Sequence, residues 1–209
     1  SIQTKDATKE SLTEMMVGEK ISLNIPRNMP HNVELRLSVN GLTCKDKYGV
    51  TVLDNVSFDA FSGEVLGIAG ISGCGQRELL ESIAGLYPAQ AGSSVIYYEP
   101  GTDAEHELIG KDVNQIKDLG VSFAFVPEDR LGMGLVGNMD ITDNMMLRSY
   151  KNGKGEFLDR KKPKKLAEEI INELEVVTPG TSTPVRRLSG GNVQKVLVGR
   201  EISASPTVL

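Results

Sequence analysis

The 209-residue sequence has little of what most often carries chemistry or cross-links: two cysteines, two histidines, 5% aromatic residues and no surplus of positive charge. Cys44 and Cys74 stand alone with no paired spacing, which excludes a zinc-finger pattern or a disulfide framework and fits a reducing cytosol. The formal net charge is −5. Duplex nucleic-acid binders rest on lysine and arginine that neutralise phosphates, so no nucleic-acid partner is expected. No apolar run approaches the roughly 18 residues that span a bilayer. Nor does any N-terminal stretch combine a basic start, an apolar middle and a small-residue cleavage site. A membrane role is therefore expected to come through a partner.

With 39% hydrophobic residues, the chain is long enough to bury one large core or two small ones. Residues 1–32 are polar, contain Pro26 and Pro30, and show one short helical pattern at Leu12, Met15, Met16 and Val17; they read as a tail and linker. From Val33 the pattern alternates, with Val33, Leu35, Leu37 and Val39 on one face, as in a half-buried strand. A second strand follows through Val50, Val52, Leu53, Val56 and Phe58. Val65–Ala69 is a short apolar run of the kind a fully buried parallel strand shows. Glycines end it, and Glu78, Leu79, Leu80, Ile83, Ala84 and Leu86 mark a helix closed by Gly85 and Pro88.

Farther on, the pattern predicts a strand over Ser94–Tyr98, a helix over Asp112–Leu119 and an apolar strand over Val121–Val126, stopped by Pro127. The middle reads as helical, with candidates at Ile141–Ser149 and Pro163–Val177. The second starts near Asp159 or Arg160, carries Leu166, Ile170, Ile171 and Leu174 on one stripe, and ends at Pro179-Gly180. A last helix covers Gly190–Ser203. Pro206, Thr207, Val208 and Leu209 look like a strand just beginning, so the sequence is expected to be a fragment.

Gly70-Ile71-Ser72-Gly73-Cys74-Gly75 has the glycine framework of a P-loop, whose backbone N–H groups and following helix N-terminus form a concave anion site. The usual next residues are a lysine for the outer phosphates and a Ser or Thr for Mg²⁺. Here they are Gln76 and Arg77. Gln76 donates hydrogen bonds without the charge assistance that raises a bond from about 1 to roughly 1.5–3 kcal/mol. Arg77 has no lone pair for a metal. The expectation is a site that holds a nucleotide but hydrolyses it poorly. Alone, the loop reads equally as a plain glycine-rich turn.

A second motif, Leu188-Ser189-Gly190-Gly191-Asn192-Val193-Gln194-Lys195, opens the last helix. Ser189 is a good N-cap, and the two glycines expose N–H groups at the positive end of the helix dipole, where a phosphate binds well from outside. As an isolated string it also suits an ordinary helix cap. Taken with the glycine loop and the helical middle, it resembles the LSGGQ signature of ABC ATPases, with Asn192 in place of glutamine.

The resemblance covers nearly the whole chain. Leu66-Gly67-Ile68-Ala69-Gly70 with Gly75-Gln76-Arg77-Glu78-Leu79, then Val126-Pro127-Glu128-Asp129-Arg130, then Leu188–Lys195 with Arg200-Glu201, look like the second nucleotide-binding domain of twin-domain importer subunits for simple sugars or nucleosides. Gln76 and Arg77 are nearer the nucleoside branch. The resemblance implies an α/β P-loop NTPase core with an N-terminal antiparallel β part and a helical subdomain at about 135–188. Residues 33–209 would form the incomplete nucleotide-binding domain, and 1–32 the end of a first one with its linker. Glu128 would stand at the Q-loop glutamine, and Tyr48 would either stack on adenine or be a solvent-exposed loop tyrosine.

The family's Walker B aspartate, catalytic glutamate and switch histidine have no counterpart here; the Walker B strand would begin near Thr207. Neither His31 nor His106 is suitably placed, and both read as surface residues. ABC domains work in head-to-tail pairs, so the resemblance implies ATP held by the first domain's P-loop and clamped by Ser189, Gly190 and Gly191, with Asn192, Gln194 and Leu188 completing the signature. Gln76 and Arg77 would belong to a degenerate companion site, with Mg²⁺ acting weakly or only in the partner's site. Implied partners are the first nucleotide-binding domain of the same chain, transmembrane permease subunits and, indirectly, a solute-binding protein. The implied place is the cytoplasmic face of the cell membrane.

Other features weigh less. Arg160-Lys161-Lys162-Pro163-Lys164-Lys165 could form a nucleic-acid or lipid patch, but Glu156, Asp159, Glu168 and Glu169 favour a solvated helix start. Met133, Met139, Met145 and Met146 suit either a membrane-subunit contact or core packing, which is expected for at least half of them. Two other functions stand beside the importer reading: a non-catalytic ABC interaction and dimerisation module, and a soluble ABC protein without a transporter.

Overall fold

The computed structural model describes residues 4, 7–18, 30–71, 73–150 and 158–209. Pro26, Ser72 and Glu156 lie outside the described residues. The elements run α1 (Lys9–Val17), β1 (Leu35–Lys45), β2 (Thr51–Phe61), α2 (Gln76–Ile83), β3 (Ser94–Tyr98), β4 (Glu105–Glu107), α3 (Val113–Asp118), α4 (Ile141–Met146), α5 (Lys161–Glu173) and α6 (Gly190–Ser203). Short π-type and 3₁₀ turns lie at Arg130–Gly134 and Val185–Arg187.

The four strands form one antiparallel sheet in the order β2-β1-β3-β4. Leu37 and Val39 are buried at odd positions of β1, yet Leu42 and Cys44 are buried at even ones. The parity changes at a register shift between Val39 and Leu42, where Gly41 takes φ +59°. An extra residue there turns the later side chains to the face their number alone would deny them. The alternation reads one residue pair too far back, since Val33 precedes β1 and is half exposed.

This sheet packs on α2 and α3 through Leu53, Leu79, Ile83, Val95, Tyr97, Leu108, Ile116 and Val121. A separate core joins α4, α5 and α6 through Leu135, Ile141, Met145, Ala167, Ile170, Val176, Val185, Val193, Val196 and Leu197. Helix α5 carries the expected stripe, with Ile170 buried and Leu166, Ile171 and the C-cap Leu174 partly so, but it ends at Glu173, earlier than Pro179-Gly180. Its basic start is solvated. Arg160 bonds Asp140 and Asp143, and Lys164 and Lys165 pair with Glu168 and Glu169 one turn on. Of the methionines, Met145 is buried and Met146 half-buried, while Met133 and Met139 are exposed.

Three readings need correction. Val65–Ala69 is not a strand: it is irregular, with Val65 85%, Leu66 40% and Ile68 41% exposed. Apolar content confers the capacity to be buried on two faces, but a strand exists only where neighbours accept and donate its backbone bonds, and no ladder partner flanks it among the described residues. Val121–Val126 is realised only in part, as a single parallel bridge between Phe123 and Val208. His106 is half-buried on β4, 3.4 Å from Glu99, whereas His31 is exposed as read. Helix α1 forms on a Thr8–Ser11 capping box, yet Leu12, Met15 and Met16 remain exposed, so it is held by local bonds more than by packing.

Candidate functional site

The glycine loop ends on α2, whose N-cap is Gly75 at φ +92°. A Cβ there would stand 2.6 Å from Val52 O and 2.8 Å from Leu53 Cδ2, so both the conformation and the contact with β2 require glycine. The first N–H groups of α2 have no intrahelical partner by geometry, which leaves the donors a phosphate cradle uses. The two unusual side chains turn elsewhere. Gln76 Nε2 donates to Ile68 O at 2.7 Å, bracing the loop from within. Arg77 Nε donates to Glu81 Oε1 at 2.7 Å along the outer surface of α2, and this bond and charge raise the guanidinium's pKa. Cys74 is exposed and Cys44 buried against Ser82.

Tyr48 sits in the β1–β2 turn, 78% exposed, with Lys47 Nζ 5.0 Å from its ring centroid. Its N–H donates to Asp46 Oδ1 at 2.8 Å. The ring is exposed to solvent, with the Lys47 ammonium above it. Glu128 is likewise exposed, just after Pro127. Asp129 Oδ1 accepts from Gly132 N at 2.8 Å and caps the π-type turn that follows.

The signature stretch is held much more firmly. Ser189 caps the 14-residue α6 by accepting from Asn192 N. Leu188 packs on the helical core, while Ser189, Gly190, Gly191 and Gln194 are exposed. Arg130 Nη1 donates to Gly190 O at 3.0 Å, so the segment carrying Glu128 reaches the first turn of α6. Asn192 Oδ1 accepts from Val177 N at 3.0 Å, and Lys195 Nζ donates to Glu175 O at 3.1 Å. A Cβ at Gly191 would meet nothing within 4 Å. The fold does not demand glycine there; its smallness leaves room for something arriving from outside.

A second tie lies deeper. Glu201 is fully buried and bonds both Arg148 and Arg200 while accepting from Phe125 N at 3.3 Å. Arg200 Nη2 donates to Gly134 O at 2.6 Å, and burial pushes its pKa down against the opposing pull of Glu201. Residues 125–134 are thereby fastened to both ends of α6. The motifs that contain Arg130, Arg200 and Glu201 assign them no role in sequence, and nothing in the local pattern singles out Arg148. The signal was present: Arg200 and Glu201 fall four residues after Val196 and Leu197, on the face that is buried. Among the described residues no hydrogen bond or ion pair joins 70–77 to 188–195.

The fold is that of α/β P-loop NTPases. An ATP-binding cassette of an ABC transporter in its ADP conformation matches with a TM-score of 0.60 over 84% of this chain and 67% of its own, at 18% identity. A dimeric cassette in a post-hydrolysis state, bound to ADP and Pi, matches with a TM-score of 0.64 over 81% of this chain and 70% of its own, at 21% identity. The family model described as ABC transporter matches residues 53–209. The chain belongs to the ABC transporter family, as an ATPase domain related to import ATP-binding proteins. Among these are a guanosine import ATP-binding protein of Bacillus subtilis (30% identical, 100% of this chain and 40% of the relative) and a glucose import ATP-binding protein of Haloferax volcanii (35%, 100% and 37%). A ribose import ATP-binding protein of Clostridium tetani is 31% identical over 100% of this chain and 39% of the relative. The chain thus spans about 40% of the length of these curated relatives.

Proposed function

We propose that this chain is the second nucleotide-binding domain of a twin-domain ATPase subunit that drives uptake of a simple sugar or nucleoside, and that it works mainly by presenting its signature helix to ATP held elsewhere. The observation that carries this is the contrast between its two phosphate-facing helix starts. Helix α6 is capped, braced and open at Gly191, whereas α2 begins with Gln76 and Arg77 where a lysine and a metal-holding hydroxyl usually stand, and these side chains bond Ile68 O and Glu81 instead.

In this reading Ser189, Gly190 and Gly191 clamp the ATP bound by the P-loop of the first nucleotide-binding domain, and Arg130 steadies them from the Glu128 segment. The companion site, built from Gly70, Ile71, Ser72, Gly73, Cys74, Gly75, Gln76 and Arg77, holds nucleotide weakly and with little use for Mg²⁺. Tyr48, exposed in the β1–β2 turn, is the residue that stacks on the adenine. Residues 1–32 are the tail of the preceding domain and the linker, 33–209 the incomplete nucleotide-binding domain and about 135–188 its helical subdomain. The complete subunit hydrolyses ATP, whereas this chain alone does not. It works at the cytoplasmic face of the membrane against permease subunits; among the described residues no helix is long and apolar enough to cross a membrane.

Titration with a fluorescent ATP analogue, with and without Mg²⁺, tests this beside the double variant Gln76→Lys/Arg77→Ser. Weak, metal-indifferent binding that becomes about tenfold tighter and metal-dependent in the variant is expected, since one charge-assisted bond contributes roughly 1.5–3 kcal/mol. Absence of binding in both proteins would favour a pure interaction module.

A further inference from the structure

The hydrogen bonds around Asn192 leave no freedom in how its amide is oriented. Val177 N, 3.0 Å from Oδ1, is a backbone N–H and only donates, so the amide oxygen must face it. The amide nitrogen then faces Ser189 Oγ at 3.0 Å and donates to it. The backbone N–H of Asn192 donates to the same oxygen at 3.4 Å. A serine hydroxyl has two lone pairs and one proton. Both lone pairs are taken, and neither neighbour accepts, so the proton must point away from Asn192, toward the exposed side of Ser189.

We infer that Asn192 is a positioning residue that turns Ser189 into a committed hydrogen-bond donor aimed at a phosphate oxygen of the clamped nucleotide; this rests on the function proposed above. The arrangement is anchored from behind. Lys195 Nζ holds Glu175 O at 3.1 Å, and Glu175 adopts φ +49°, so the short segment carrying Val177 N is fastened to the same helix that carries Asn192. A free hydroxyl samples about three staggered wells, so holding one of them contributes about threefold to affinity for an acceptor. The orientation is in place before ligand arrives.

The test is a double-mutant cycle in the complete subunit, read as equilibrium affinity for a fluorescent non-hydrolysable ATP analogue, with thermal midpoints recorded alongside. Ser189→Gly removes the hydroxyl while keeping a tolerated N-cap residue. It is expected to weaken binding about tenfold or more, as loss of a hydrogen bond to a charged group does. Asn192→Ala is expected to weaken binding about threefold by itself and not at all when Ser189 is already glycine. Asn192→Asp keeps an acceptor for Val177 N, and so keeps the fold. Its carboxylate accepts a hydrogen bond from the Ser189 hydroxyl and turns it inward, so it is expected to weaken binding more than Asn192→Ala. Effects of Asn192→Ala that multiply with those of Ser189→Gly would assign Asn192 a purely structural role and overturn the inference alone. No effect of Ser189→Gly would overturn the clamp reading and the inference together.

Discussion

Helices α2 and α6 both begin at glycines and both present N–H groups to solvent, yet their surroundings differ in kind. The start of α6 is capped by Ser189 and tied to Arg130, while Asn192 and Lys195, two and five residues into the helix, bind the backbone at Val177 and Glu175. The start of α2 has no side-chain cap, follows an exposed irregular stretch, and rests on β2 chiefly through Gly75. Chemical resemblance between two phosphate-facing motifs is therefore compatible with opposite mechanical roles. A terminus braced by other elements keeps its dipole and donors aimed, whereas the start of α2 is held by Gln76 within its own loop and by Gly75 against β2.

The sharpest way to break this contrast is to undo the bracing of α6 from below. Glu201→Gln leaves the buried Arg200 without its carboxylate and is expected to cost about 3 kcal/mol, since removing one partner of a buried ion pair strands the other. Urea denaturation measures it. A midpoint equal to that of the parent chain would mean that α6 does not depend on this tie.

The two glycines then separate structure from ligand access. Gly75→Ala forces a side chain into positive φ against Val52 O and should lower stability by about 2 kcal/mol. Gly191→Ala meets no neighbour and sits inside a helix, so it should raise stability by about 0.5–1 kcal/mol while weakening the nucleotide clamp. Thermal melts of both variants, with ATP-analogue binding for the second, decide the matter. A destabilised Gly191→Ala would remove the argument that ligand access explains that glycine.

Much of the helical half was legible because its signals are local. Ser189 before two glycines and an apolar run places the start of α6 at Gly190, and the structure begins it there. Asp112 marks α3 in the same way, with a capping box to Gln115. The strands were harder. The bulge near Gly41 reverses the facing of β1 by one extra residue, which no period-two count reveals. Val65–Ala69 carries a buried strand's composition without the neighbours that make one. At the candidate site, the residue types of both motifs could be read directly, but the destinations of Gln76, Arg77 and Arg130 could not, because a long side chain's partner is chosen by what folds up beside it.

By itself the sequence determined the inventory: a phosphate loop without its usual lysine and metal-holding hydroxyl, a signature motif with asparagine at its fifth position, and apolar periods sufficient for two cores. Composition, capping and spacing act over a few residues, so they are written in the order of the chain. Only the tertiary structure decided which terminus is braced, since Glu201 meets Phe125 N across 76 residues and Arg130 meets Gly190 O across 60. Such bonds form because folding brings a desolvated carboxylate and guanidinium to the partners that offset their burial, and that selection depends on the whole packed core.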